Sequence, residues 1–304
     1  MVENDGTSKP GESGAKPEAK KDEGVDYANL PTKLKVFGWV LLAYGVIGGS
    51  LIGSLSSFLP HTEFMLTNVW RNGCGVVMFL IPAIIQTFQV RKKNADPKTP
   101  EHEKIGWRQL FGLRITFGLL LSQFFCLFWA FGIFYGTSVM VQMHAYVFTT
   151  MNGVFYLIIL YILCTKPICF EVIGCVLAIA GGICMYFDES AVKTDGVEAT
   201  FLDYMITLSG SLAGALYFFV SNRFISNIPL GILFWIMSVY GFILALILSK
   251  IMNDQVMVFS FDPNWGCFGF LNREWVGYCL FVWFFGAMYP GYFAFIQVML
   301  YLPP

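Results

Sequence analysis

Asn68, Arg71, Asn72 and Gly75 recur at i, i+3, i+4 and i+7 in and just after the run "NVWR". That spacing puts them on one face of a helix. A guanidinium between two carboxamides is the chemistry of an anion or polar-solute contact: the cation attracts, and the amides both donate and accept. At ~1.5 Å per residue, Arg71 lies ~10 Å inside the outer end of its helix. A charge at that depth faces a cavity or a partner, or else it snorkels along its own stem to the interface. A second stripe, Gln142, Tyr146 and Thr149 with Thr150 beside it, brings an amide and hydroxyls from another apolar run. Its alternative use is hydrogen bonding between helices. Asn68, Arg71, Asn72, Gln142, Tyr146 and Thr149 form the candidate substrate-binding set. His144 projects from nearly the opposite side of its helix. Ser122, Gln123, Ser211, Tyr217 and Gln297 are weaker candidates, while Trp129, Tyr135 and Trp283 read as packing residues.

The same inspection excludes other chemistry. No Asp or Glu lies deep in an apolar run; Glu171 and Asp203 stand near the ends of theirs. A carboxylate proton relay is therefore unsupported, and so is carboxylate catalysis. No Ser/His/Asp spacing, phosphate-binding glycine loop or HExxH pattern occurs. No catalytic residue, enzymatic activity or cofactor is expected. The chain has 8 cysteines. Most of them, Cys74, Cys126, Cys175, Cys184 and Cys279, sit in apolar runs where a thiol acts as a small hydrophobe. No CxxC spacing marks a metal or redox site. A formal charge of −1 with no basic stripe argues against nucleic acid.

The elements that position these residues must be membrane helices. Of the 304 residues, 56% are hydrophobic and 13% charged, and the mean hydropathy is +0.63. A soluble domain is closer to a quarter charged. The apolar residues fall in blocks long enough to cross a hydrocarbon core, without the ten-residue alternation of a membrane β-barrel. The fold class is an all-α polytopic membrane protein. Spans are expected near 34–58, 64–90, 108–133, 138–163, 169–187, 201–223, 229–251 and 275–300. Residues 1–33, rich in Lys, Glu, Gly and Pro, read as a disordered tail. The loop after the second span holds Arg91, Lys92, Lys93, Lys98, Lys104 and Arg108, and Lys166 and Arg223 fall on the same side. By the bias of basic residues toward the cytoplasm, the N-terminus is cytoplasmic and the 188–200 loop faces the other compartment.

Two near-identical stretches, "GSLIGSL" at 49–55 and "GSLAGAL" at 210–216, open the first and sixth spans to close helix packing. Tyr135 at the end of the third span answers Tyr301 at the end of the eighth at nearly the same shift. A unit of five helices is thus expected twice. Because five is odd, the second copy enters the bilayer inverted, a common build for secondary transporters.

At these residues the chain resembles the drug/metabolite transporter superfamily, EamA-like branch, which includes nucleotide-sugar and triose-phosphate carriers. The resemblance rests on "FWAFGIFYGTSVMVQ", on "KPICFEVIGCVLAIAGGICMYF" with Gly174 and Gly181, on Arg71 near the start of the second helix, and on "DYMITLSGSLAGALYFFVSNRF". Two departures stand out: Cys164 and Thr165 stand where the family often has a Gly-Glu pair, and Thr150 is the nearest position to a mid-helix Pro that the family often has and this chain lacks. The resemblance implies a carrier of a small polar or anionic metabolite working by alternating access. It also implies ten helices, where this sequence shows eight: a first repeat over 34–187 and an incomplete second over 201–304. A homodimer, a membrane-protein partner or membrane lipid is then expected to cover the unfinished half. The rival expectation is a transport-inactive membrane scaffold, or a subunit of a larger complex.

Overall fold

The structure is a computed structural model that describes residues 30–60, 63–100, 104–106, 110–164, 169–187, 199–225, 228–252 and 259–302. The expected tail up to residue 29, Arg108, Lys166 and most of the 188–200 loop lie outside the described residues, as does the side chain of Gln142. The described residues form helices and no strand. In chain order these are α1 (Thr32–Ser56), α2 (Phe64–Ala95), α3 (Leu113–Val139), α4 (Gln142–Thr149), α5 (Asn152–Ile162), α6 (Cys169–Tyr186), α7 (Phe201–Ile225), α8 (Leu230–Met252), α9 (Tyr278–Ala294) and α10 (Phe295–Val298). They supply 8 spans long and apolar enough to cross a membrane, with α4–α5 and α9–α10 each making one. The chain is an integral multi-pass membrane protein.

Element boundaries differ from the sequence expectation where polar helix formers or caps decide them. α2 continues past residue 90 through Arg91, Lys92 and Lys93 to Ala95, because basic side chains extend a helix readily into water. α3 starts only after Gly112 and runs on to Val139. The fourth span is broken: α4 stops at Thr149, and α5 restarts at Asn152. The carbonyls that the break frees are taken by neighbours. Trp129 Nε1 donates to the Thr149 carbonyl (3.2 Å) and Ser211 Oγ to the Phe148 carbonyl (2.5 Å). At the end of this span Cys164 has φ 62°, the left-handed conformation that ends many helices and usually takes glycine.

Three helix pairs dominate the packing: α1 with α9, α2 with α8, and α3 with α7. Each pair is antiparallel. Gly38 lies against Tyr301 while Gly48 lies against Pro290; Gly118 lies against Phe224 while Gly214 lies against Trp129. Lipid tails are as apolar as leucine, so such pairs hold by close van der Waals contact and interhelical hydrogen bonds. Glycine makes the closest contacts here. A Cβ on Gly132 would sit 2.8 Å from the Gly210 Cα, and one on Gly48 would sit 2.0 Å from the Pro290 ring. Ser122 and Ser221 hydroxyls join α3 to α7 at 2.7 Å. The outer helix α6 buries only Gly182 among its residues.

α9 is wound as a π-helix through Pro290. In i→i+5 bonding the missing N–H of Pro290 orphans the Phe285 carbonyl. The Tyr44 hydroxyl of α1 donates to that carbonyl. The proline ring and the tyrosine thus lock α1 to α9 at one place.

Candidate functional site

The Arg71 face of α2 points into the middle of the bundle. Asn68, Arg71 and Asn72 are all buried, with Arg71 at 3% exposure. Snorkelling is therefore not what the guanidinium does. Its NH1 reaches Cys126 Sγ on α3 at 3.5 Å, and its Cζ lies 4.2 Å from the centre of the Tyr292 ring on α9. Its Nε and NH2 have no hydrogen-bond acceptor. No Asp or Glu among the described residues is buried. A thiol contact and a cation–π contact are weak substitutes for a carboxylate. An unpaired buried cation costs about 3–5 kcal/mol, a cost that packing must offset.

Other polar atoms around this charge also lack partners. Gln123 on α3 is 1% exposed, and neither its Oε1 nor its Nε2 is hydrogen-bonded. Asn68 Oδ1 and Ser238 Oγ on α8 are likewise unsatisfied. The Asn68 amide donates to the Phe64 carbonyl (3.1 Å), and the Asn72 amide to the Asn68 carbonyl (2.9 Å). Gly241 of α8 stands between two of these amides: a Cβ there would be 2.2 Å from Asn72 Oδ1 and 2.8 Å from Gln123 Oε1. Buried polar groups are nearly always satisfied. A cluster of orphaned donors and acceptors around one cation marks a place suited to a polar ligand.

Tyr146 and Thr149 lie further along the same layer. The Gly53 amide of α1 donates to the Tyr146 hydroxyl, and the Thr149 hydroxyl donates to the Ala145 carbonyl (2.8 Å). Contacts run from Arg71 to the Tyr292 ring, from Tyr292 to Trp129 (ring centres 5.1 Å), and from Trp129 to the Thr149 carbonyl. The α2 residues are therefore assembled directly, whereas the α4 residues reach them through two aromatic rings. Gln142 begins α4, but its side chain is not among those described. His144 lies elsewhere, 3.5 Å from the Tyr204 hydroxyl on α7. Asp203 is tied up at the start of α7, where its carboxylate accepts from Tyr135 (2.6 Å) and from the Thr200 amide (2.8 Å).

No family model matches the chain, and no curated protein or solved structure is significantly similar to it.

Sequence reasoning ranked Gln123 low and missed Ser238 and Gly241. All three come from helices other than that of Arg71, so no spacing along the chain could have joined them. It also missed the loop over the site. Residues 259–271 fold back onto α2: Trp70 Nε1 donates to the Gly266 carbonyl (2.9 Å), and the Trp70 and Phe270 rings meet edge to face. Gly73 accommodates Phe270, and Gly269 accommodates Trp70. The local signal was "GCFGF" (266–270), two glycines framing apolar residues directly after the turn residues "DPN" and Trp265.

Proposed function

We propose that the protein is a membrane carrier for a small anionic or polar metabolite, with Arg71 as the anion contact. The observation that carries this reading is the buried guanidinium with two unpaired nitrogens and no carboxylate near it. An anionic group on the solute would supply the missing acceptor. Asn68, Gln123 and Ser238 would take its polar remainder. The absence of buried carboxylates among the described residues favours exchange or facilitated diffusion over proton coupling, and non-covalent transport over catalysis.

An inverted repeat of the drug/metabolite transporter kind agrees with the packing, and the basic loop after the second span favours an N-terminus on the cytoplasmic side. Exchanging the first span with the sixth, the second with the seventh and the third with the eighth leaves the three dominant helix pairs unchanged. The glycine contacts follow the same exchange: Gly49 meets Gly291 as Gly210 meets Gly132. Such a relation supports alternating access, one half rocking against the other around a central site.

A second reading, the transport-inactive scaffold, is favoured by one observation: Trp70, Trp283, Tyr217, Tyr292 and Phe284 are fully buried and fill the bundle. Arg71→Met separates the two. For the carrier, uptake of small carboxylates and phosphates into proteoliposomes is lost, while the melting temperature holds or rises, since an unpaired charge has been replaced by an apolar side chain of similar length. For the scaffold, no solute is taken up by either form, and no solute in the panel raises the melting temperature of the unaltered chain.

A further inference from the structure

A cavity lies away from Arg71, between the C-terminal half of α2 and the start of α8. It has a volume of about 470 Å³ and is lined by Leu80, Ile84 and Phe88 of α2 and by Trp235 and Ile236 of α8, with Arg91 at its rim. The helix pairing explains why it exists. Pro82 of α2 lies against Gly231 at the start of α8, and Gln86 Oε1 accepts from the Gly231 amide (2.7 Å), so α2 beyond Gln86 runs on to Ala95 past the first residue of α8. The chain returns beneath this overhang. Asn94 Nδ2 donates to the Ile105 carbonyl (2.9 Å) and the Ile105 amide to Asn94 Oδ1 (3.1 Å), which sets Gly106, Leu110 and Phe111 as the outer wall.

We propose that this cavity holds one acyl chain of an anionic phospholipid, with its phosphate on Arg91. Three features select that occupant. The first is length: from Leu80 to Asn94 the lining of α2 rises about 21 Å, the depth of one leaflet with its headgroups, half of the ~40–45 Å bilayer. The second is polarity along that length. From Leu80 to Phe88 the α2 lining is apolar but for Thr87, whose hydroxyl donates to the Ala83 carbonyl of its own helix (2.7 Å); the lining turns cationic at Arg91, beside Lys92 and Lys93, and ends at the polar Asn94. Among the described residues no carboxylate lines the cavity, and the nearby Asp96 accepts from the Lys98 amide in its own turn (2.9 Å). The third is Trp235, whose buried indole N–H has no acceptor; a lipid ester carbonyl is a suitable one. Ile84 and Phe88 are exposed on the hydrocarbon side, so a lipid can enter sideways. A basic end on the cytoplasmic side, where the charge bias puts it, would also face the leaflet richest in anionic lipid. The site is independent of the carrier reading.

Bromine on an acyl chain quenches nearby tryptophan, and Trp235 is a wall of the cavity. The purified full chain is reconstituted in phosphatidylcholine vesicles containing a minor fraction of brominated lipid, either phosphatidylglycerol or phosphatidylcholine. Brominated phosphatidylglycerol should reach half-maximal quenching at about fivefold lower fraction than brominated phosphatidylcholine, the preference expected for one basic contact. Arg91→Gln should bring the two lipids together, and Trp235→Phe should remove the difference in quenching. Equal quenching by both lipids in the unaltered chain overturns the site. So does a preference that survives either substitution. Both residues sit at the edge of the bundle, and the melting temperature of each variant confirms folding.

Discussion

A buried charge is tolerated only where something repays it, and at Arg71 nothing in the described chain does so in full. Cys126 and the Tyr292 ring are neutral partners. This is why the Arg71→Met outcome is opposite to that of a structural arginine, whose removal would lower stability. Gly241 gives a finer probe of the same place. An added methyl at Gly241→Ala would press on Asn72 Oδ1 and Gln123 Oε1, both ends of side chains that can turn aside. The expected result is a several-fold rise in KM for the transported solute with a melting temperature close to that of the unaltered chain. An unchanged KM would separate these amides from the solute. The helical spacing of Asn68, Arg71 and Asn72 was legible in the sequence, because i, i+3, i+4 is set by local geometry alone. Their partners Gln123, Ser238 and Gly241 were not, because they depend on which helices pair.

At the scale of the element, the spans themselves could be read because a bilayer demands about twenty apolar residues and internal backbone hydrogen bonding. Their irregularities could not. The break at Thr150 carries neither Gly nor Pro, and its freed carbonyls are stabilised by Trp129 and Ser211 from other helices. A proline such as Pro290 inside an apolar run allows a broken helix or a kink; the π winding of α9 with Tyr44 on the Phe285 carbonyl is a third solution. Tyr44→Phe keeps the ring and removes that donor, which should destabilise the chain by about 1–3 kcal/mol, read as a lower melting temperature in detergent. No change would mean that the carbonyl finds another donor.

For the whole molecule, glycine positions separate packing from ornament. Gly132→Ala would place a Cβ 2.8 Å from the Gly210 backbone, where neither helix can give without moving, so a loss of about 1–3 kcal/mol is expected. Gly174 and Gly181, the two glycines of α6 on which the family resemblance leaned, have nothing within 4 Å of an added Cβ. Alanine there should leave the melting temperature unchanged or raise it, by up to ~1 kcal/mol of helix propensity each. The echo between 49–55 and 210–216, together with Tyr135 and Tyr301, suggested two related halves. Gly132 and Gly291, which meet those stretches, share only a Phe two positions on (Phe134 and Phe293), so their similar contacts come out only in the three-dimensional pairing.

The buried Arg71 charge also bears on voltage. In the proposed carrier, an unloaded centre fixed to α2 inside the hydrocarbon carries a full positive charge, and a monoanion cancels it. Reorientation of the vacant form would then drag charge through the field, at about 2.3 kcal/mol per elementary charge per 100 mV, while the occupied form would move none. Tracer entering vesicles preloaded with the same anion should therefore outpace entry into empty ones, and only the latter rate should change with an imposed potential.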